Sequence, residues 1–174
     1  NEEGGRLIAK HLVSLGHESV AMISGVVSHN ERAKYRLKGI TGQLLESGID
    51  LSSDRVVEQP FTIEGGRAGL RIAMELEPRP TAIVCSTDVT CIGALAEARA
   101  MGIDVPKDLS ISGFDDIEFA AACVPALTTV RVPTSKIGIS SANNIVALIE
   151  GRPLARRERI QIELVVRDST APRR

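Results

Sequence analysis

Thr81–Gly102 reads TAIVCSTDVTCIGALAEARAMG, and the fold follows from it. Thr81–Cys85 is a short apolar run without polar alternation, as expected of a strand covered on both faces. Asp88–Met101 is rich in alanine, runs at helical spacing and meets Gly102, a helix stop. A buried strand, a short polar link and a helix form the first half of a β-α-β unit.

The alternation continues in both directions. Upstream, residues 5–15 place Leu7, Ile8, Leu12, Val13 and Leu15 near helical spacing, and Gly16 stops the helix. Ser19–Ser24 is a β-rich run. Residues 31–47 predict a helix with Leu37, Ile40, Leu44 and Leu45 on one side, closed by Gly48. Arg55–Glu58 is a brief strand, and residues 63–76 a helix with Leu70, Ile72, Ala73 and Leu76 inward, ended by Pro78. Downstream come strands at Leu109–Phe114 and Leu127–Val132, a helix at Ser135–Glu150 ended by Gly151, and a last strand at Arg159–Val166. Strand starts near 19, 55, 81 and 109 are each one βα unit apart. The expected class is α/β: a doubly wound, mostly parallel sheet with helices on both faces.

Composition narrows the function. The chain has 174 residues and a net charge of −1, without the basic balance of a nucleic-acid-binding domain. The chain itself is therefore not expected to grip DNA. The basic stretch Arg152–Arg159 and the Arg173-Arg174 end read as a solvated loop and a tail. With three Phe, one Tyr and no Trp, the core must be built from Ile, Val, Leu and Ala. Cys85, Cys91 and Cys123 are odd in number and lack a CxxC pair, so free thiols in a reducing cytoplasm are expected. No apolar run reaches the length of a membrane span. There is no signal-peptide pattern, and the chain opens on Asn1 rather than Met, which reads as a piece of a longer protein.

In an open parallel sheet, ligands bind outside the carboxyl ends of the strands. That rule selects residues 25–31, 59–62, 86–88 and 114–118, with His29, Asn30, Arg32, Ser86, Thr87, Asp88, Asp115, Asp116 and Phe61 in or beside them. One rim thus offers a guanidinium, carboxylates, amide and hydroxyl groups and one aromatic face, a set suited to a small polar molecule with many hydroxyls. Asp88 reads first as a helix N-cap. Asp115 and Asp116 are expected to divide the work, one capping and one facing a ligand. The histidines lack metal-ligand spacing. No nucleophile elbow or P-loop is present, and Gly65–Gly69 lies inside a helix rather than opening one. Neither an enzyme, a metal nor a cofactor is expected.

Several blocks, in order along almost the whole chain, resemble the lac-repressor (LacI/GalR) family of transcriptional regulators. They are Asn1–His17, the Arg36-Leu37-Lys38-Gly39 element, Arg79–Asp88 (RPTAIVCSTD), Gly93-Ala94-Leu95, Val105–Asp116 (VPKDLSISGFDD), Pro125–Val130 (PALTTV) and Glu163–Thr170 (ELVVRDST). The resemblance implies a periplasmic-binding-protein-like fold of two lobes with an effector between them. It makes residues 1–133 and 159–170 the second lobe, and 134–158 a segment of the first. The first lobe and a helix-turn-helix head would precede Asn1.

By position, Arg36 and Asp115 match the family's effector-binding pair and Phe61 its stacking aromatic. Thr87, Asn30 and Arg32 fall in the ligand loops. The resemblance further implies a cytoplasmic homodimer that touches operator DNA through the head and pairs through Ile92, Leu95, Phe119 and Cys123. The effector would be a sugar or related polar metabolite. With half the cleft missing, this chain alone is expected to bind it weakly. A periplasmic sugar-binding protein of a transporter shares the fold and is the alternative; a doubly wound enzyme is a third reading. The helix at 135–150 keeps an apolar stripe of Ile137, Ala142, Ile145, Val146, Leu148 and Ile149. It is expected to pack on a neighbouring chain or fold back on its own lobe, and the strand after it to join the sheet.

Overall fold

A computed structural model of the chain describes residues 1–154 and 160–173. Four parallel strands form the central sheet in the order β2-β1-β3-β4: β1 (Val20–Ser24), β2 (Val56–Glu58), β3 (Ala82–Cys85) and β4 (Ser110–Ser112). Every residue of β1 and β3 is buried. The pleat sends alternate side chains to opposite faces, which is why these strands are apolar except at Ser24, where β1 ends. Ala21, Ile23, Ile83, Cys85 and Ile111 pack with Leu70 and Ala73 of α3 (Ile63–Ala73) and Cys91, Ala94 and Ala98 of α4 (Asp88–Ala100). Val20, Met22, Ala82 and Val84 pack with Ile8, Ala9 and Leu12 of α1 (Glu2–Ser14) and Ile40 and Leu44 of α2 (Glu31–Glu46). The doubly wound, mostly parallel fold is therefore as the sequence predicts.

Glycine sets the spacing of the helices. A Cβ on Gly93 of α4 would lie 2.0 Å from the Ile63 carbonyl oxygen of α3, and a Cβ on Gly39 of α2 would lie 2.0 Å from the Glu2 carbonyl oxygen of α1. Each helix pair crosses where one backbone touches the other.

Beyond β4 the sheet changes character. Short β5 (Thr129–Arg131) meets the sheet edge through isolated parallel bridges, Ser112 with Thr128 and Asp115 with Arg131. The last strand, β6 (Glu163–Val165), pairs antiparallel with β5. The two form a separate two-stranded sheet, so the last strand does not join the main sheet as expected but neighbours it through the bridges of β5; among the described residues it is shorter than the predicted Arg159–Val166. Arg159 itself, the rest of 155–159 in the basic stretch, and Arg174 lie outside the described residues. The chain after β6 laces the edge: Ser169 donates its hydroxyl to the Ile111 carbonyl at 2.6 Å and accepts from the Thr128 N–H at 2.9 Å.

Two predicted side-chain placements fail, and so does one of the two positions expected for the helix at 135–150. Leu45 and Ile72 are exposed, because the helices bury narrow stripes against the sheet and each lies one step beyond its stripe. The helix α5 (Thr134–Ile149) does not fold back on the lobe: Ile137, Ile145, Val146, Leu148 and Ile149 are exposed, and Ala147 is its buried residue.

Gly93→Ala forces α3 and α4 apart and is expected to cost about 1–3 kcal/mol as an overpacking change, read as a lowered denaturant midpoint. His17 tests the opposite end of the sheet. Its ring meets the Thr81 hydroxyl through Nδ1, and the Ser110 hydroxyl and Ala171 carbonyl through Nε2, all at 3.0–3.1 Å. Burial, its largest influence, holds the imidazole pKa below the ordinary value, against the Ala171 hydrogen bond that raises it. The unfolded chain therefore takes up the proton first. Stability should fall as pH drops below about 6.5, until the folded ring protonates too. His17→Gln should reduce that acid dependence in pH-resolved urea melts.

Candidate functional site

The strand order reverses between β1 and β3, and the crevice at such a switch point opens at their carboxyl ends. Asn30 caps α2 there, its side-chain oxygen accepting from the Arg32 and Ala33 N–H groups at 3.0 and 3.1 Å. Arg36 lies in the helix interior on the buried stripe of Ala33 and Ile40. It is a nearly buried cation, 7% exposed, and its surroundings are built to tolerate that.

Nε donates to the Asn1 side-chain oxygen at 3.1 Å, Nη1 to the Ser86 carbonyl, and Nη2 to Asp115 Oδ1 at 3.0 Å. The guanidinium carbon stands 3.8 Å from the Phe114 ring centroid, a cation–π contact strengthened by desolvation. Burial lowers the Arg36 pKa, and Asp115 opposes that. Among the described residues, three of the five guanidinium N–H groups are engaged, which leaves two for a further partner.

Asp115 is held in an uncommon backbone state, φ 116°, followed by Asp116 at φ 55°. Neither is glycine, and such residues cost of order 1–3 kcal/mol each where surrounding contacts enforce them. The enforcing contact at Asp115 is its N–H to the Val130 carbonyl, 2.9 Å. Burial raises the Asp115 pKa, and neighbouring Arg36 offsets part of the rise.

Phe61 stands on the opposite wall. A Cβ on Gly25 would lie 2.2 Å from its ring, so only glycine lets the ring settle on the end of β1. Thr87 caps α4, accepting from the Thr90 N–H at 3.3 Å. Arg36, Asp115, Phe61, Thr87, Asn30 and Arg32, with Ala33, line one hollow of about 240 Å³. The structure thus brings together the six residues read as effector-binding, although Asn30 and Thr87 also serve as caps.

Other expectations need correction. Asp88 is not the cap of α4; Thr87 is. Asp88 is fully buried and ties the site loop down, Oδ1 accepting from the Thr129 hydroxyl at 2.6 Å and Oδ2 from the Ile117 N–H at 2.9 Å. Nor does Asp116 cap a helix. Its carboxylate accepts from Arg131 Nε at 2.5 Å and Arg167 Nη2 at 2.7 Å. Both roles depend on strand register, which local spacing does not reveal. Asn1 as a partner of Arg36 carried no sequence signal.

Of the surface residues, Phe119 is exposed, while Ile92 and Cys123 are partly buried against the core. Leu95 packs into the core of the lobe. All three cysteines are free. Among the described residues, no group of three or more His, Cys, Asp or Glu is placed to hold a metal, and no helix is long and apolar enough to cross a membrane.

Asp88→Asn keeps the shape but sets an amide N–H₂ or a weaker acceptor against the Ile117 N–H and the Thr129 hydroxyl. A loss of about 1–3 kcal/mol is expected from the disrupted buried bonds, with faster amide exchange at Ile117.

Comparison with known proteins agrees with this architecture. Residues 9–170 match the family model described as a periplasmic binding protein-like domain. The ribose operon repressor of Haemophilus influenzae is 36% identical over 135 residues, which is 78% of this chain and 40% of the repressor. A LacI family transcriptional regulator from Mycobacterium smegmatis superposes with a TM-score of 0.89 at 32% identity, over 98% of this chain and 64% of the other. The transcriptional regulator CelR, solved as a complex with cellobiose, gives a TM-score of 0.90 at 30% identity, over 97% of this chain and 51% of the other. The chain spans about half the length of the curated relatives it matches. With the doubly wound sheet, the crevice at its switch point and these matches in hand, the chain belongs to the periplasmic binding protein-like family, in the branch carried by transcriptional regulators of the LacI type.

Proposed function

We propose that this chain is the second lobe of the effector-sensing part of a cytoplasmic transcriptional repressor, and that its crevice binds a sugar or sugar-bearing metabolite. The observation that carries this reading is the Arg36–Asp115 pair, 3.0 Å apart beside Phe61 in one hollow. A carboxylate accepts from sugar hydroxyls, an arginine fork donates to them, and an aromatic ring covers the apolar face of a pyranose or furanose. The cellobiose complex of CelR supports a sugar-like class. The relatives named above are transcriptional repressors and regulators, and no observation favours the transporter reading.

On this proposal, residues 1–133 and 159–170 form the second lobe and 134–158 belong to the first. The open apolar face of α5 supports that division. Burying each large aliphatic side chain is worth roughly 1.5–3 kcal/mol, and a first lobe would cover several. Effector binding across both lobes would favour one closure state and so change how paired heads sit on operator DNA. Pairing about a two-fold axis would use exposed Phe119 and Val124 with partly buried Ile92 and Cys123.

The test is a calorimetric and thermal-shift screen of the two-lobed protein against D-ribose, D-glucose, cellobiose and adenosine. At least one should bind, and Asp115→Asn should weaken that binding about tenfold or more, consistent with a charge-assisted hydrogen bond worth about 1.5–3 kcal/mol. The 174-residue chain alone should bind far more weakly, since on this reading half the wall belongs to the first lobe. No binding by the two-lobed protein, or undiminished binding by Asp115→Asn, rejects the reading.

A further inference from the structure

We infer that Asp116 is a positioning residue that carries effector occupancy at Asp115 to the strands joining the two lobes. This rests on the function proposed above.

The two adjacent carboxylates face different structures. Asp115 meets Arg36 in the crevice. Asp116, whose side chain is 7% exposed, accepts from Arg131, the last residue of β5, and from Arg167, just past β6. Arg131 also pairs with Glu163, the first residue of β6. Strand β5 carries the chain towards α5, and β6 brings it back. One carboxylate therefore clamps the outgoing and returning strands, and a single peptide link joins it to the carboxylate of the crevice.

The backbone tightens the link. The Asp115 N–H donates to the Val130 carbonyl at 2.9 Å, and the Val132 N–H reaches back to the Asp115 carbonyl at 3.4 Å. Asp115 and Asp116 both hold positive φ, so this turn has little freedom to absorb a shift locally. When a ligand competes for Asp115, the reorientation of that residue passes into the β5 ladder and the Asp116 clamp. Burial works to raise the Asp116 pKa, yet the hydrogen bonds from Arg167 and Arg131 prevail and hold it below the ordinary value. The clamp is thus charged at neutral pH.

A purely structural clamp would also contain these contacts, so the test separates the two roles. In the two-lobed protein, whichever of D-ribose, D-glucose, cellobiose and adenosine binds wild type is titrated into Asp116→Asn by calorimetry. Amide exchange of residues 129–132 and 163–166 is then compared with and without that compound at saturation. Wild type should gain at least about fivefold protection in those strands on binding, the lower end of ordinary coupling between sites. Asp116→Asn should bind within about threefold of wild type yet gain less than about twofold protection.

Equal protection in variant and wild type overturns the inference while leaving the proposed function standing. Loss of binding together with a lowered melting temperature shows a structural role and overturns it too. If no compound binds wild type, the functional reading fails and the inference with it. Should Asp116→Asn not fold, Arg131→Gln, which removes one half-exposed arm of the clamp, is read by the same measures.

Discussion

A guanidinium withdrawn from water must be compensated on every side, and the architecture of the crevice follows from meeting that requirement at Arg36. Its partners come from distant parts of the chain: Asn1 before α1, the carbonyl of Ser86 after β3, the carboxylate of Asp115 after β4, and the ring of Phe114. Removing one partner leaves a buried charge short of compensation, which is far more damaging than losing a surface ion pair. The cation therefore draws the ends of β3 and β4 and the start of α1 towards α2. It also stays presented to the crevice with donors in reserve.

Much of this was legible because the sheet is covered on both sides. Ala82–Cys85 and Val20–Ile23 have no solvent face, so their side chains are apolar at every position and the strands announce themselves. Gly16, Gly48 and Gly102 carry positive φ just past the helices they end, which makes the boundaries readable within a residue or two. The rim was legible by a different route. Ligand sites of open sheets fall at strand ends, and the blocks resembling the LacI family put Arg36 and Asp115 there.

What stayed hidden depends on three-dimensional register. Leu45 and Ile72 satisfy a helical period but lie outside the stripe that meets the sheet. Asp88 and Thr87 are neighbours, and either can cap a helix by composition. The geometry gives the cap to Thr87 and frees Asp88 to hold Ile117 and Thr129. The Asp116 clamp needs β5 and β6 to be antiparallel, with Arg131 opposite Glu163, and nothing in the separation of those residues along the chain fixes that pairing.

The lacing of the sheet edge by Ser169 has a consequence for synthesis. The chain leaves β5, makes its excursion through α5, and only then supplies β6 and the stretch that bonds Ile111 and Thr128. The edge of β4 therefore waits, half-finished, while the excursion emerges from the ribosome. Contacts between residues so far apart in sequence form late and slowly. A premature stop codon anywhere from Thr134 to Ser169 would do more than trim a tail. It would remove the fastening of a sheet whose other strands were already made, exposing an open edge of the kind that invites aggregation.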